Sequence, residues 1–264
     1  MADFLDVLAR DVKETIHEGY YEVSTRISTP SVSFKKAILE SKHIPIITEI
    51  KAASPSLGII RQNFNPEEVA RAMENGGAVG ISVLTEPKHF EGSLSSLNKV
   101  RKAVKLPILM KDIIISPTQL ETASKIGANA VLLIEALFER EYCECDIHEM
   151  IEQAQSKNLE VLLETHNEDE FRSAVNSNAG LIGINNRDLR TLKVDLEVTK
   201  KILEKNDARG KIIVSESGIR TLADLSFLNE CGAHAFLIGS AIMMADNIEK
   251  RVKEFVMALL EKLG

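Results

Sequence analysis

The segment PILMKDIIISPTQLETASKIGANAVLLIEAL, residues 107–137, decides the class of fold. Its two ends, PILMKD and AVLLIEAL, are short apolar runs of strand length. Between them, SPTQLETASKIGA has the spacing of an amphipathic helix and closes with Gly127-Ala128. The runs are almost continuously apolar, which is typical of parallel strands covered on both faces. A strand, a helix and a second strand in this order predict a parallel βαβ unit.

The same unit recurs along the chain from residue 44 onward. Two more amphipathic segments, PEEVARAMENGGA and RTLADLSFLNECGA, also end in Gly-Ala, as a helix C-cap and return turn would. The eight apolar runs are IPIITEI (44–50), VGISVLTE (79–86), PILMKD (107–112), AVLLIEAL (130–137), EVLLETH (160–166), LIGINNR (181–187), KIIVSES (211–217) and AFLIGSAIM (235–243). Eight such repeats predict an α/β protein with a single closed (β/α)8 TIM barrel rather than an open doubly wound sheet.

Residues 1–43 precede this rhythm. Apolar residues recur at helical spacing from Phe4 to Ile16, and SFKKAILESKH follows the Ser/Thr/Pro-rich stretch STPSVS. We therefore predict that residues 1–43 form an N-terminal helical extension of two helices joined by a loop. The chain of 264 residues has no visible linker, so residues 1–264 are expected to form one domain.

The composition argues against several classes of protein, among them nucleic-acid-binding, metal-binding and membrane proteins. A net charge of −7 argues against nucleic acid as a partner but allows a few cations to hold a small phosphorylated ligand in a cleft. The three cysteines match neither a disulfide framework nor a zinc pattern, and no histidine spacing suggests a metal. The start MADFLDVLARDVKE lacks the apolar region of a signal peptide, and no run suits a membrane helix. We expect a cytoplasmic monomer without metal or cofactor.

Polar residues gather where the apolar runs end. Glu49 and Lys51 lie two apart at the end of the first run, so their side chains share one face of a strand. Other exits carry Lys111-Asp112, Glu164-Thr165-His166, Asn185-Asn186-Arg187-Asp188 and Ser215-Glu216-Ser217, while Thr85-Glu86 and Glu135 are weaker cases. Strands must end somewhere and exits are often polar, but barrel active sites form at the C-terminal ends of the strands. The convergence predicts an active site there.

The last two runs suggest a phosphate site. Gly218 and Gly239-Ser240 each follow a strand and precede a helix, where backbone N–H groups can approach an anion. The hydroxyls of Ser54 and Ser56, after the first run, could also donate to phosphate. A plain turn glycine is the alternative for Gly218. His166 is the one histidine at a strand exit, and a structural role is favoured for it.

Seven motifs together resemble the indole-3-glycerol-phosphate synthase family. They are K-x-x-S-P-S-x-G at 51–58, ISVLTE at 81–86, F-E-G-S at 90–93, MKD at 110–112, GINNRDL at 183–189, SESGI at 215–219 and IGS at 238–240. The first and fifth are the most specific, because other phosphate-binding barrels share Gly-Ser exits but lack that pair. The resemblance spans nearly the whole chain.

The resemblance implies a decarboxylating carbon–carbon lyase of tryptophan biosynthesis. Such an enzyme closes the ring of 1-(2-carboxyphenylamino)-1-deoxyribulose 5-phosphate to give indole-3-glycerol phosphate, with loss of CO2 and water. The family uses neither a metal nor an organic cofactor. The implied catalytic residues are Glu49, Lys51, Lys111, Glu164, Asn185 and Glu216. By resemblance, Lys111 is the general acid for ring closure, Lys51 serves carboxylate contact or dehydration, and Glu164 is a base or steadies the charged intermediate.

The resemblance also implies the substrate contacts, which are Ser54, Ser56, Phe90, Arg187, Ser217, Gly218, Gly239 and Ser240. Of these, Ser54, Gly218, Gly239 and Ser240 would hold the phosphate. One departure is Ile113, where the family usually has Phe, so ring stacking would be weaker or supplied by Phe90. Because the chain has no tryptophan, any N-terminal aromatic contact would come from Phe4, Tyr20 or Tyr21.

Two alternatives stay open at this stage. An isomerase or aldolase-like barrel would share the phosphate glycines but would not need Glu49, Lys51, Lys111 and Glu164 together, and a Schiff-base aldolase would be trapped by borohydride. A non-catalytic sensor of phosphorylated ligands would keep the glycines and lose the acids and bases.

Overall fold

The computed structural model describes residues 3–24, 26–27, 30–54 and 58–258, and eight parallel strands within them close into a barrel. In chain order the barrel strands are β1 Ile46–Ile50, β2 Gly80–Leu84, β3 Ile108–Lys111, β4 Ala130–Ile134, β5 Glu160–Thr165, β6 Leu181–Asn185, β7 Ile212–Glu216 and β8 Ala235–Ile238. Each strand pairs with its neighbours in sequence, and β1 closes the ring on β8 with Thr48 opposite Ile238. The (β/α)8 prediction is confirmed.

The helices lie between and around these strands. They are α1 Phe4–His17, α2 Phe34–Leu39, α3 Pro66–Asn75, α4 Leu94–Ala103, α5 Pro117–Ile126, α6 Glu135–Glu139, α7 Ile147–Ser156, α8 Glu168–Asn176, α9 Glu197–Lys205, α10 Leu222–Glu230, α11 Ser240–Met243 and α12 Ile248–Val256. The local signals explain the bounds of α5: Ser116 and Gln119 form a capping box at its start, and Gly127 ends it in the left-handed region at φ 94°.

Two of the predicted runs continue past their strand into a helix. AVLLIEAL divides at Ile134 into β4 and the start of α6, and AFLIGSAIM divides at Gly239 into β8 and α11. In both cases the helix that follows is itself buried, as Leu137 and Ile242 show. Hydrophobicity therefore continues across the boundary, and periodicity cannot separate a buried strand from a short buried helix.

The N-terminal extension contacts both ends of the barrel. At one end, Phe34 of α2 fills the space over Gly80, and its backbone N–H donates to Glu160, the first residue of β5. At the other end, α1 buries Leu5 and Leu8 against the C-terminal ends of the strands, and both side chains line the cleft there. The extension thus forms one wall of the cleft that the strand exits define.

A short antiparallel ribbon follows β1. Ala53–Ser54 pairs with Gly58–Ile59, so the chain turns back at the mouth of the barrel. Ser56, predicted to contact substrate, lies outside the described residues.

Candidate active site

Four ionisable side chains occupy the C-terminal end of the barrel interior. They come from the four odd-numbered strands: Glu49 of β1, Lys111 of β3, Glu164 of β5 and Glu216 of β7. Interior layers of such barrels take four side chains from alternate strands, and most are bulky and apolar. Here the three carboxylates are buried and the Lys111 side chain is only 16% exposed. We call these four residues the ionisable layer.

Glu49 bridges two lysines. Its Oε1 lies 2.7 Å from the Nζ of Lys51, and its Oε2 lies 3.1 Å from the Nζ of Lys111. Lys111 also donates a hydrogen bond of 3.2 Å to Oε2 of Glu216. The pair of charges that follows β1 is therefore part of a chain of ion pairs that crosses the barrel.

The electrostatics set the protonation of this chain. Burial alone would raise the pKa of Glu49, but Lys111 and Lys51 lower it to about 2. Burial opposes the charge of Lys111, but Glu49, Glu216 and Glu164 raise its pKa well above the usual value. For Glu216, burial and the nearby carboxylates outweigh Lys111 and raise the pKa to about 8. These directions favour an ammonium on Lys111 and a carboxylate on Glu49, and they make Glu216 the carboxyl of the layer that takes up a proton most readily.

Glu164 lies opposite Gly183 of β6 in the strand register. Burial would raise its pKa, but contact with His166 and the charge of Lys111 lower it to about 2. The Nε2 of His166 lies 3.1 Å from Oε1 of Glu164. The sequence analysis favoured a structural role for His166 and gave it no part in the site. The signal that could have found it is its position two residues after a buried glutamate at a strand exit.

Two glycines make room for the layer. A Cβ on Gly183 would collide with the Glu216 carboxylate and lie 3.4 Å from the Cα of Glu164. A Cβ on Gly239 would lie 2.5 Å from Oε1 of Glu49 and 2.9 Å from Nζ of Lys51. Gly239 was predicted as a phosphate contact, and its place beside this ion pair is a second reason for glycine there.

The layer opens into a cleft of about 1180 Å³, part of which is open to solvent. Most of the predicted site residues line it: Glu49, Lys51, Ser54, Phe90, Lys111, Glu164, Asn185, Arg187, Ser217, Gly218, Gly239 and Ser240. Glu216 is fully buried beneath, in contact with Lys111. The structure thus brings the sequence-predicted residues to one place, with Ser56 outside the described residues.

The apolar wall of the cleft includes one of the three aromatic residues considered in the N-terminal extension. Phe4, Phe90 and Ile113 line it. Tyr20 and Tyr21 instead bond to the ends of β2 and β3: the Tyr20 hydroxyl donates to the carbonyl of Thr85, and the Tyr21 hydroxyl donates to Asp112. Of the three aromatic residues considered in the extension, only Phe4 is among the residues described as lining the cleft.

The exits of β6 and β7 are joined by Asn186, which sequence reasoning did not single out. Its side-chain amide donates to Oγ of Ser215 and to the carbonyl of Glu216, both at 3.0 Å. Beyond this tie, Ser217 and Gly218 have φ values of 65° and 87°, so the chain turns sharply into the cleft. A buried polar tie of this kind holds the loop that carries the candidate phosphate contacts.

Arg187 lies beside this loop. Its backbone N–H donates to Oδ1 of Asn185, and its guanidinium donates to the carbonyl of Leu192 at 2.9 Å. Burial lowers the pKa of Arg187. The guanidinium keeps further N–H donors, so it can bind an anion in the cleft while it braces the β6 loop.

The two strand exits that the sequence marked less strongly, at Glu86 and Glu135, lie in different surroundings. Glu86 lines the cleft and accepts hydrogen bonds from the backbone N–H groups of Lys88, His89 and Phe90, which shapes the loop that presents Phe90. Glu135 is the first residue of α6, is buried, and is not among the residues that line the cleft.

Two searches of the described residues gave negative results. Among residues 3–24, 26–27, 30–54 and 58–258, no group of three His, Cys, Asp or Glu side chains could hold a metal ion. No helix in the same part of the chain is long and apolar enough to cross a membrane.

Comparison with known proteins identifies relatives over nearly the whole chain. A family model described as indole-3-glycerol phosphate synthase matches residues 5–255. A protein of that name from Methanocaldococcus jannaschii is 48% identical over 84% of this chain and 82% of its own length. Another from Caldanaerobacter subterraneus is 43% identical over 84% of each chain. Among solved structures, thiamine phosphate pyrophosphorylase from Pyrococcus furiosus matches with a TM-score of 0.61 and 19% identity, covering 86% of this chain and 100% of that one, which is a likeness of fold alone.

Proposed function

Because the chain belongs to the indole-3-glycerol phosphate synthase family, we propose that the ionisable layer supplies the proton transfers of the ring closure. The enzyme converts 1-(2-carboxyphenylamino)-1-deoxyribulose 5-phosphate to indole-3-glycerol phosphate, CO2 and water, in tryptophan biosynthesis. The observation that carries the proposal is the position of Lys111 between Glu49 and Glu216, at 3.1 and 3.2 Å.

Ring closure needs a proton at the ketone oxygen as the new carbon–carbon bond forms. In the proposal Lys111 donates it, because its ammonium is held charged by the buried carboxylates around it and faces the cleft. Glu216, whose pKa is raised by burial and by the nearby carboxylates, lies directly behind Lys111 and takes up a proton there most readily of the three acids. This arrangement supports return of a proton to Lys111 from below, without access to water.

The dehydration needs a proton for the departing hydroxyl and a base for the proton that leaves the ring system. Lys51 and Glu49 form one proton-handling pair at 2.7 Å, and Glu164 faces them across the cleft as a carboxylate. In the proposal Lys51 donates the proton to the departing hydroxyl, and Glu49 orients Lys51. Glu164, with Asn185 beside it, removes the ring proton or stabilises the charge of the intermediate.

The two anionic ends of the substrate fix its orientation. Gly218, Gly239 and Ser240 follow β7 and β8, where loops of such barrels commonly bind phosphate, and Ser54 lines the cleft beside them. Ser217 belongs to the same turn. The carboxylate would contact Lys51 and Arg187, and the anthranilate ring would pack on Phe90, Ile113 and the apolar face of α1.

We further propose that the chain works as one domain, as a monomer, in the cytoplasm. The extension forms a wall of the cleft, which supports a single unit. Four large hydrophobic side chains are strongly exposed in the part that the structure describes, and they come from different elements: Leu39, Ile59, Leu222 and Met244. The cysteines at 143, 145 and 231 are free, which suits a reducing compartment.

The test is an assay of indole fluorescence with the substrate named above, in the presence of EDTA. The chain has no tryptophan, so the protein background is low. We expect Lys111→Met to lower kcat by about 10²–10⁴-fold, because a positioned proton donor contributes that much. Lys51→Met should also lower kcat, by a smaller factor.

Lys102→Met is the matched control, because Lys102 is exposed on the outer helix α4. It should keep the turnover of the unaltered enzyme. A folded Lys111→Met variant with normal turnover would overturn the proposed acid. If the unaltered enzyme gave no indole signal, borohydride trapping with ketose phosphates would be the next test, since a Schiff-base lysine would be captured.

A further inference from the structure

We propose that His166 is a positioning residue of the reaction: an imidazolium clamped between Glu164 and Glu170 that keeps the Glu164 carboxylate charged and oriented toward the cleft. The inference deepens the proposed function, because it rests on the role proposed there for Glu164. It adds to the site a side chain that does not line the cleft and acts through another residue.

The first support is the geometry of the ring. Its Nε2 lies 3.1 Å from Oε1 of Glu164, and its Nδ1 lies 3.1 Å from Oε2 of Glu170 in the first turn of α8. The same Glu170 oxygen accepts the backbone N–H of His166 at 2.7 Å. Asn167 caps α8 by accepting the N–H of Glu170 at 2.9 Å. Both ends of the ring are therefore fixed by groups that are themselves held.

The second support is the chemistry of imidazole. A neutral ring has one N–H and one lone pair, so one of its nitrogens would present a lone pair to a carboxylate oxygen. A protonated ring presents an N–H on both sides. The three side chains are 10%, 3% and 6% exposed for His166, Glu164 and Glu170, so water does not replace either partner. The Nε2 atom is at ion-pair distance from Glu164 but is not aligned as a hydrogen-bond donor. The contact is therefore stabilised by the attraction of opposite charges.

The charged surroundings favour the same state. Burial lowers the pKa of His166, but Glu164 and Glu170 raise it to about 10. The groups that face this trio from neighbouring elements are Lys111 of β3, Asn185 of β6, Glu216 of β7, and Glu135 and Glu139 of α6. Acids outnumber cations among them. Without the imidazolium charge, Glu164 would take up a proton more readily and would lose the form that a base needs.

The test compares His166→Asn with His148→Asn, which changes an exposed histidine on α7. We expect His166→Asn to lower kcat by about tenfold or more while KM changes little. The acidic limb of the pH profile of kcat/KM should also move upward by about one to three units, as expected when a carboxylate loses an opposite charge. Glu170→Gln should move that limb in the same direction by less, and His148→Asn should leave kcat and the profile unchanged.

A spectroscopic readout separates this inference from the assignment of Glu164. In the unaltered enzyme labelled with ¹⁵N-histidine, both ring nitrogens of His166 should keep the protonated signature at about pH 8.5, where an ordinary histidine is neutral. A neutral ring there, or an acidic limb that stays in place in His166→Asn, would overturn the proposal. Should the variant fail to fold, the spectrum of the unaltered enzyme decides. Normal turnover by Glu164→Gln would instead overturn the proposed base and leave the spectrum as an independent result.

Discussion

At the scale of single residues, the absence of a side chain matters as much as its presence. A Cβ added to Gly183 of β6 would collide with the Glu216 carboxylate. Glu216 is fully buried, so its side chain cannot move out into solvent to relieve the collision. We expect Gly183→Ala to displace Glu216 from Lys111. Because a misplacement of about 1 Å can cost about 10²-fold in rate, kcat in the fluorescence assay should fall by at least tenfold.

Gly180→Ala is the control for this prediction. Gly180 lies just before the same strand, and a Cβ there would have nothing within 4 Å. Its kcat should match that of the unaltered enzyme. Equal activity of the two variants would show that the space above Gly183 is not needed.

Residues differ in how far the sequence reveals them. Glu49, Lys51 and Lys111 could be predicted because charges gather at several strand exits of one barrel, and charge that is buried without a task is costly. Gly183 could not, since its reason for being glycine lies on the neighbouring strand β7. His166 was visible as a strand-exit histidine, but its partner Glu170 comes from the next helix, and only the fold brings the two together.

At the scale of elements, the loop that follows α1 forms hydrogen bonds to the ends of β2 and β3, beside the candidate site. Tyr21 is buried, and its hydroxyl donates to Oδ1 of Asp112, the residue next to Lys111. Burial raises the pKa of that carboxyl to about 6, although its hydrogen bonds from Thr85 and Tyr21 oppose this. The N-terminal extension is therefore coupled to the residue that follows β3.

We expect Tyr21→Phe to lower the free energy of unfolding by about 1–3 kcal/mol, because it leaves a buried acceptor without one of its donors. Urea denaturation would measure the loss. Tyr142→Phe is the comparison, since its hydroxyl donates to Asp6 near the surface, where water can replace the bond, and it should cost less than Tyr21→Phe. A smaller loss for Tyr21→Phe than for Tyr142→Phe would contradict the coupling.

The elements themselves were largely predictable, because eight apolar runs and their Gly-Ala returns repeat the same signal. The boundaries at β4 and β8 were not, since short buried helices prolong the apolar runs there. The reach of the extension to both ends of the barrel also could not be predicted. Phe34 meets Gly80 and Tyr21 meets Asp112 across long separations in sequence, and a single sequence read alone carries no signal of such contacts.

At the scale of the whole molecule, the buried ionisable groups make stability depend on pH from both sides. Glu49 and Glu164 have pKa values lowered to about 2, so their contribution is present above their ordinary value of 4.5 and is lost as the pH falls toward 2. His166 has its pKa raised to about 10, so its contribution is present below 6.5 and is lost as the pH rises through 10. Glu216 adds to the basic decline, because its pKa is raised from 4.5 to about 8.

The expected result is greatest stability at about pH 5, where Glu49 and Glu164 are ionised in both states and the losses from Glu216 and then from His166 have only begun, measured as the free energy of unfolding in urea across the pH range. His166→Asn should reduce the decline on the basic side relative to His148→Asn. A free energy that stayed level from the neutral range to about pH 10 would contradict the assigned states of His166 and Glu216.

The ionisable layer has a consequence for the history of such a chain. Buried ion pairs are often no more stabilising than well-packed aliphatic side chains of similar volume, and replacing them can stabilise a protein. Four strands here end in groups that are useful for chemistry and of little use for folding. If selection on the reaction were relaxed, joint replacement of the groups at positions 49, 111, 164 and 216 by Leu, Val or Met would keep the barrel intact, whereas replacement of one alone would leave a buried charge unpaired. A descendant that had lost the activity would then be recognisable by an apolar layer at the C-terminal end of the barrel, with the outer ring of helices unchanged.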